Sequence, residues 1–187
     1  ISLESRLAER ERIQEQLAYT AFHDELTKLK NRIYFNDYMK KSFSEHQKYD
    51  INLTLMYLDL DKFKYINDGM GHHAGDAFLK EVAARLEACA ENEELVARIG
   101  GDEFALIFEG AGHLAKAIDV AEKITSALSR PLSIEGQVLH SSCSIGIASL
   151  GDYHSSAQDL IRDADVAMYA SKKNGRGRHV VFDISMR

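Results

Sequence analysis

Four carboxylates at two chain positions carry the most chemical promise in this sequence. Asp59-Leu60-Asp61 closes the apolar run that begins at Asn52, and Asp102-Glu103 follows Gly100-Gly101. The glycine pair lies between Leu95-Val96-Ala97 and Phe104-Ala105-Leu106-Ile107-Phe108. Apolar runs flanking a Gly-Gly step read as a β-hairpin. Carboxylates beside backbone that a ligand can approach closely suit a divalent metal and a phosphate-bearing ligand. Taken alone, a Gly-Gly-Asp-Glu turn is more often simply solvated. Asp59, at what reads as the sheet edge, has the same plain alternative. If the two strands are neighbours, however, their carboxylates converge into a hard-oxygen site suited to Mg²⁺. Metal-assisted phosphoryl or nucleotidyl transfer needs such a site. Neighbouring strand residues face opposite ways, so only one of Asp102 and Glu103 aims straight inward unless the turn admits both.

The stretch from Lys62 to Asp76 supplies a second set of groups. A carboxylate such as Asp76 can accept from the N1–H and exocyclic N–H of guanine, and an amide such as Asn67 can meet the purine edge. Adenine lacks those donors, so such a site rejects it by leaving a carboxylate unpaired. Each residue also has an ordinary reading. Asp76 suits the first turn of a helix, and Asn67-Asp68-Gly69 suits a turn. His72-His73 lack the spacing of a zinc pair, which leaves a loop role or a ligand contact. Lys172 and Arg176 can grip phosphates or complement a helix C-terminus. No Ser/His/Asp order, Walker-type loop or CxxC motif is present.

These groups need a scaffold, and the chain is long enough for one domain with an extension: 187 residues, 45% hydrophobic and 28% charged. A net charge of -6 disfavours nucleic acid and anionic membrane as partners. Cys89 and Cys143 lie in apolar segments and read as buried free thiols in a reducing, cytoplasmic setting. No apolar run approaches a membrane span. The start at Ile1 suggests a piece of a longer protein, in keeping with a membrane-anchored one. Residues 1–22 read as a charged connector helix with an imperfect heptad, paired in a dimer or merely solvated. Asp24 caps a turn before Leu26-Thr27. Helices are expected over about 31–47, 77–89, 113–129 and 156–173, the last stopped by Gly175. Strands are expected over about 52–58 and 180–182, in the hairpin around Gly100-Gly101, and as a pair over about 132–148 with Gly136 in its turn. The stretch 62–75 reads as polar and glycine-punctuated. The alternation is α+β, with a four- or five-stranded, mainly antiparallel central sheet flanked by helices.

Together these features resemble the GGDEF diguanylate cyclase family over residues 20–184. Asp24-Glu25-Leu26-Thr27-Lys28-Leu29-Lys30-Asn31-Arg32 is similar to its DxLTxLxNR opening. Asp59 to Asn67-Asp68, then Gly71-His72 and Gly75-Asp76, follow its central block, and Arg98 to Phe104 is its signature. Ser144 to Ala148 and Ala164 to Lys172 are similar to its closing motifs. The resemblance implies a nucleotidyl cyclase or polymerase palm-like fold over 23–184, with 185–187 starting a linker. It implies condensation of two GTP into cyclic di-GMP with loss of two pyrophosphates, in a homodimer with one GTP per copy. By the same carry-over, Asp59, the Leu60 carbonyl, Asp102 and Glu103 hold two Mg²⁺, for which Mn²⁺ can substitute. Asp102 or Glu103 assists deprotonation of the 3′ hydroxyl. Asn67 and Asp76 read guanine, His72 lies close to the nucleotide, and Lys64, Lys172, Arg176 and the Phe63 backbone meet phosphates.

Three departures from the family pattern stand out. Glu91 and Glu94 replace its inhibitory Arg-x-x-Asp motif, which implies that product feedback through that site is missing. Lys28 stands where glycine is usual, and Gly177 where asparagine often follows Gly-Arg. The end from Val180 to Met186 is similar to the junction before an EAL phosphodiesterase, and a sensory domain upstream is also in keeping. The alternative function is therefore a catalytically silent GTP-binding module that regulates a fused EAL domain.

Overall fold

The computed structural model describes residues 2–90 and 95–187. Its centre is strand β1 (Leu53–Leu60), every residue of which is buried. Strands β2 (Leu95–Gly100), β3 (Glu103–Glu109), β6 (Cys143–Ser149) and β7 (Arg178–Val181) join it in one five-stranded sheet, ordered β2-β3-β1-β6-β7. All pairings are antiparallel except β6 with β7. Both faces of β1 are covered, so its sequence is mostly apolar rather than alternating, with Thr54 and Asp59 the buried polar exceptions. Met56, Leu58, Leu60, Phe104, Leu106 and Phe108 share one core with helices α4 (His72–Cys89) and α5 (His113–Ser129). Leu53, Leu55, Tyr57, Ala105 and Ile107 share the other with α2 (Arg32–Tyr49) and α6 (Ala157–Lys173). Each buried Leu, Ile, Met or Phe among them contributes roughly 1.5–3 kcal/mol.

Two local features set the position of α6. Ser156 caps its start by accepting from the Asp159 N–H. Gly146 of β6 faces it without a side chain, and a Cβ there would come within 2.1 Å of the Ala164 carbonyl oxygen and 2.3 Å of the Met168 nitrogen. The helix therefore lies directly on the sheet, and its last turn brings Lys172 to the rim where β1 ends. Helix α1 (Leu3–Phe22) has no buried residue, and Leu3, Leu7, Ile13 and Leu17 are all exposed. Asn31 ties its end down, donating from Nδ2 to the Ala21 carbonyl at 2.9 Å and capping α2 through Oδ1.

The structure departs from the sequence expectations at two places. The stretch 62–75 is helical: α3 (Phe63–Met70) and the start of α4 at His72 meet at Gly71, whose φ of 87° breaks the helix. The expected strand pair is divided. β4 (Leu132–Ile134) and β5 (Gln137–Leu139) form their own two-stranded ribbon, and β6 enters the main sheet beside β1. Because β1 is the central strand, Asp59 lies at the end of the sheet, between Glu103 on β3 and Ser144 on β6. Cys143 is buried and Cys89 half-buried, and both are free thiols.

Candidate active site

The carboxylates gather at this rim. Asp59 and Glu103 are direct register partners. Asp102, in the turn that joins β2 to β3, accepts the Leu60 N–H on its carbonyl at 3.1 Å, which ties the turn to the end of β1. Burial, and then the neighbouring Asp59 carboxylate, push the Asp102 carboxyl up to about 6. Burial and Asp59 raise Glu103 in the same direction, and Tyr57 donates to Glu103 Oε2 at 3.5 Å. The turn thus lets both signature carboxylates face Asp59. Lys172 Nζ pairs with Asp59 Oδ2, whereas Asp59 Oδ1 is buried and has no hydrogen-bond partner among the described residues.

Asp61 does not join this cluster. It accepts from Ser142 Oγ at 2.6 Å, Ser144 Oγ at 2.8 Å and the Gly177 N–H at 3.1 Å. Arg176 Nε lies 3.9 Å from it. Its task is to fasten the loop after α6 to the end of β6. Gly177 has φ 58°, a conformation that both glycine and asparagine tolerate. Lys28 has φ 64°, which explains why glycine suits that position.

The expected base-reading residues lie on α3 and α4. Asn67 Oδ1 rests over Gly75, where a Cβ would sit only 1.8 Å from it. Asp76, His72 and Lys64 are exposed on the same helix pair, and Phe63 is buried against Phe78, with ring centroids 6.0 Å apart. Gly100 and Gly101 have open space where side chains would stand. The structure thus brings Asp59, Leu60, Asp102, Glu103 and Lys172 together, with Arg176 next to Asp61. Asn67 and Asp76 sit apart from them on the helix pair.

A family model described as "Diguanylate cyclase, GGDEF domain" matches residues 21–178. The chain is 38% identical over 175 residues to the bifunctional diguanylate cyclase/cyclic di-GMP phosphodiesterase MucR of Pseudomonas aeruginosa, covering 94% of this chain and 25% of that protein. It is 36% identical over 162 residues to the diguanylate cyclase TpbB of the same species, covering 86% and 37%. Among solved structures, the coiled coil and GGDEF domain of DgcB from Caulobacter crescentus, in complex with c-di-GMP, superposes with a TM-score of 0.84. That pair is 33% identical, with 97% of this chain and 100% of the other covered. The chain belongs to the GGDEF diguanylate cyclase family. It spans 25% of the length of MucR and 37% of that of TpbB.

Within this GGDEF domain, one contributor escaped the sequence reading. Arg98 donates through Nη1 to both Asp24 carboxylate oxygens at 3.2 Å, and through Nε and Nη2 to the Gly101 carbonyl at 3.1 and 2.9 Å. It staples the opening motif to the signature turn. Burial raises Asp24, but hydrogen bonds from Thr27 and the Arg98 guanidinium more than offset this and hold its carboxyl below the usual range. Arg98 stood inside the signature, yet nothing in one dimension links it to a residue 74 positions earlier.

The donor set fits Mg²⁺ in its chemistry. It offers hard oxygens only, including one buried carboxylate oxygen without a hydrogen-bond partner among the described residues. No ready-made cage of three or more His, Cys, Asp or Glu side chains exists among the described residues. Mg²⁺ does not require one, because it usually binds through one or two carboxylates, substrate phosphates and retained waters. Among the described residues no helix is long and apolar enough to cross a membrane.

Proposed function

We propose that this domain condenses two GTP into cyclic di-GMP, each copy of a homodimer presenting one nucleotide. The observation that carries this reading is the crowding of Asp59, Asp102 and Glu103 at one rim, with Lys172 paired to Asp59 and Arg32 also attracting Glu103. Three acids forced together are stable only in front of positive charge. Asp59, the Leu60 carbonyl, Asp102 and Glu103 would hold two Mg²⁺, or Mn²⁺. Such ions neutralise phosphates and lower the pKa of an attacking hydroxyl.

The chain's own groups do the rest. Asp76 accepts from the guanine N1–H and amino group, while Asn67 meets the purine edge and His72 lies close by. Phe63, at the start of α3, offers a backbone N–H without an intrahelical partner to the phosphates, beside Lys64, Lys172 and Arg176. Asp102 or Glu103 takes the proton of the 3′ hydroxyl. The 3′ oxygen bonds to the partner nucleotide's α-phosphorus, and the bond to pyrophosphate breaks. Two such displacements close the ring. Glu91 and Glu94 lie outside the described residues; their charge repels a cyclic dinucleotide, so product feedback there is missing. Changing both to alanine should leave inhibition by added cyclic di-GMP unaltered.

The direct test is product chromatography after incubation with Mg²⁺ and GTP or ATP. Cyclic di-GMP from GTP, no product from ATP, and loss of turnover in Asp59→Asn and Asp102→Asn support the reading. GTP binding without turnover would favour the other possibility: a regulatory module beside an EAL domain such as the bifunctional name of MucR suggests. A sensory domain upstream, an EAL domain downstream and a cytoplasmic location for this domain belong to the same proposal.

A further inference from the structure

Lys172 and Asp59 are 113 residues apart in sequence and directly paired in space. Lys172 stands on the last turn of α6, held over the rim because Gly146 lets the helix settle onto β6. Its side chain is 28% exposed and that of Asp59 13%, so the pair is partly sheltered, with one side open to solvent. Asp102 also attracts the ammonium group, and Arg176 repels it. Lys172 therefore acts on all three carboxylates, with Arg32 also attracting Glu103, and it leaves one Asp59 oxygen buried without a hydrogen-bond partner among the described residues. A lysine offers point charge on a four-carbon stem, so it can leave a carboxylate for a phosphate without any movement of the helix.

We propose that Lys172 is a resident placeholder for the divalent ion: it holds Asp59 in the nucleotide-free domain and must be displaced from it when metal binds. The displaced ammonium then turns to the nucleotide's phosphates. Metal binding and nucleotide binding are thereby coupled through one side chain, and the nucleotide-free domain binds metal weakly by design. This goes beyond a phosphate-gripping role and rests on the metal reading of the rim. If Lys172 occupies Asp59 about nine-tenths of the time, apparent metal affinity is reduced about tenfold.

The test uses Mn²⁺ alone, titrated into nucleotide-free protein and followed by calorimetry or by the spin resonance of free Mn²⁺. Lys172→Met should bind Mn²⁺ about tenfold more tightly than the unchanged protein. Arg176→Met removes one positive charge from the same helix end without touching Asp59, and should change Mn²⁺ binding by less than about twofold. Equal tightening in both variants would show general charge and overturn the placeholder. So would unchanged or weaker binding in Lys172→Met when its thermal melting is intact. If Lys172→Met does not fold, Lys172→Gln serves for the same titration, with the same outcomes. A non-hydrolysable GTP analogue should then tighten Mn²⁺ binding more in the unchanged protein than in the variant; equal tightening contradicts the coupling. Absence of cyclic di-GMP synthesis would sink the cyclase reading and leave the Mn²⁺ titration informative. Absence of any Mn²⁺ binding by all proteins would overturn the metal reading and the placeholder with it.

Discussion

Gly75→Ala separates the stability of this domain from its function. Gly75 lies inside α4, where alanine is favoured over glycine by ~1 kcal/mol. The new Cβ would sit 1.8 Å from Asn67 Oδ1, 2.9 Å from Asn67 Cγ and 3.5 Å from Phe63 Cζ. The first two contacts are impossible, but both involve the end of one flexible side chain. Asn67 can swing away at a cost of ~0.5–1.5 kcal/mol. The two terms nearly cancel, so thermal unfolding should shift by less than about 4 °C. Swinging away, however, takes the amide from where it would meet the purine. Losing one such hydrogen bond costs ~0.5–1.5 kcal/mol, which weakens GTP binding roughly 3- to 10-fold. Gly146→Ala is the contrast, because its Cβ would strike the backbone of Ala164 and Met168 at 2.1 and 2.3 Å. Helix α6 would have to lift, at ~1–3 kcal/mol or more. Differential scanning fluorimetry and GTP titration by calorimetry measure both quantities. Unchanged GTP affinity in Gly75→Ala, or a melting loss as large as that of Gly146→Ala, would refute the reasoning.

Asp102→Asn should stabilise the metal-free domain. A carboxyl held at about 6 rather than 3.8 makes the folded state the better proton binder. Stability therefore falls as pH rises from about 4 to 6, and the penalty persists above. The full shift corresponds to ~3 kcal/mol, which solvent screening at the half-exposed turn reduces to ~1 kcal/mol. Urea unfolding should show that gain at pH 7.5 and none below pH 4; a loss at pH 7.5 contradicts it. Lys28→Gly relieves a left-handed backbone and should raise stability by ~0.5–1 kcal/mol, seen as a higher urea midpoint. Arg98→Met cuts the tie between Asp24 and the Gly101 carbonyl and should cost ~1–3 kcal/mol, while hydrogen exchange quickens at the signature turn. Asp61→Asn keeps the shape but weakens the hold on Ser142, Ser144 and Gly177; it should raise the GTP requirement more than it lowers maximal turnover.

The central strand was legible because it is buried on both faces, which leaves a mostly apolar run ending in Asp59. The signature hairpin was legible because glycine punctuates it. Helix α3 and the first turn of α4 were not, although apolar spacing marks the rest of α4 over 77–89. Asn67-Asp68-Gly69 and Gly71 favour turns locally, and only burial of Phe63, Ala74 and Phe78 in the core overrides that preference. The ribbon β4–β5 merged with β6 on paper, because both segments are short and apolar and only strand pairing distinguishes them. At the site, residue types near motifs could be read, but contacts across the chain could not. The pairs Lys172–Asp59 and Arg98–Asp24 depend on how α6 and the opening turn pack, which no local pattern encodes. Asp61 carries the same charge as Asp59 two residues away, and only the structure assigns one to the rim and the other to a scaffold of serines.

The most direct measurement is cyclic di-GMP formation from GTP and Mg²⁺, followed by mass spectrometry across a series of protein concentrations. The account predicts cyclic di-GMP and two pyrophosphates per product, with turnover per chain rising with concentration as homodimers form, and none from Asp59→Asn. GTP binding with no cyclic di-GMP at concentrations where the chain is dimeric would contradict it.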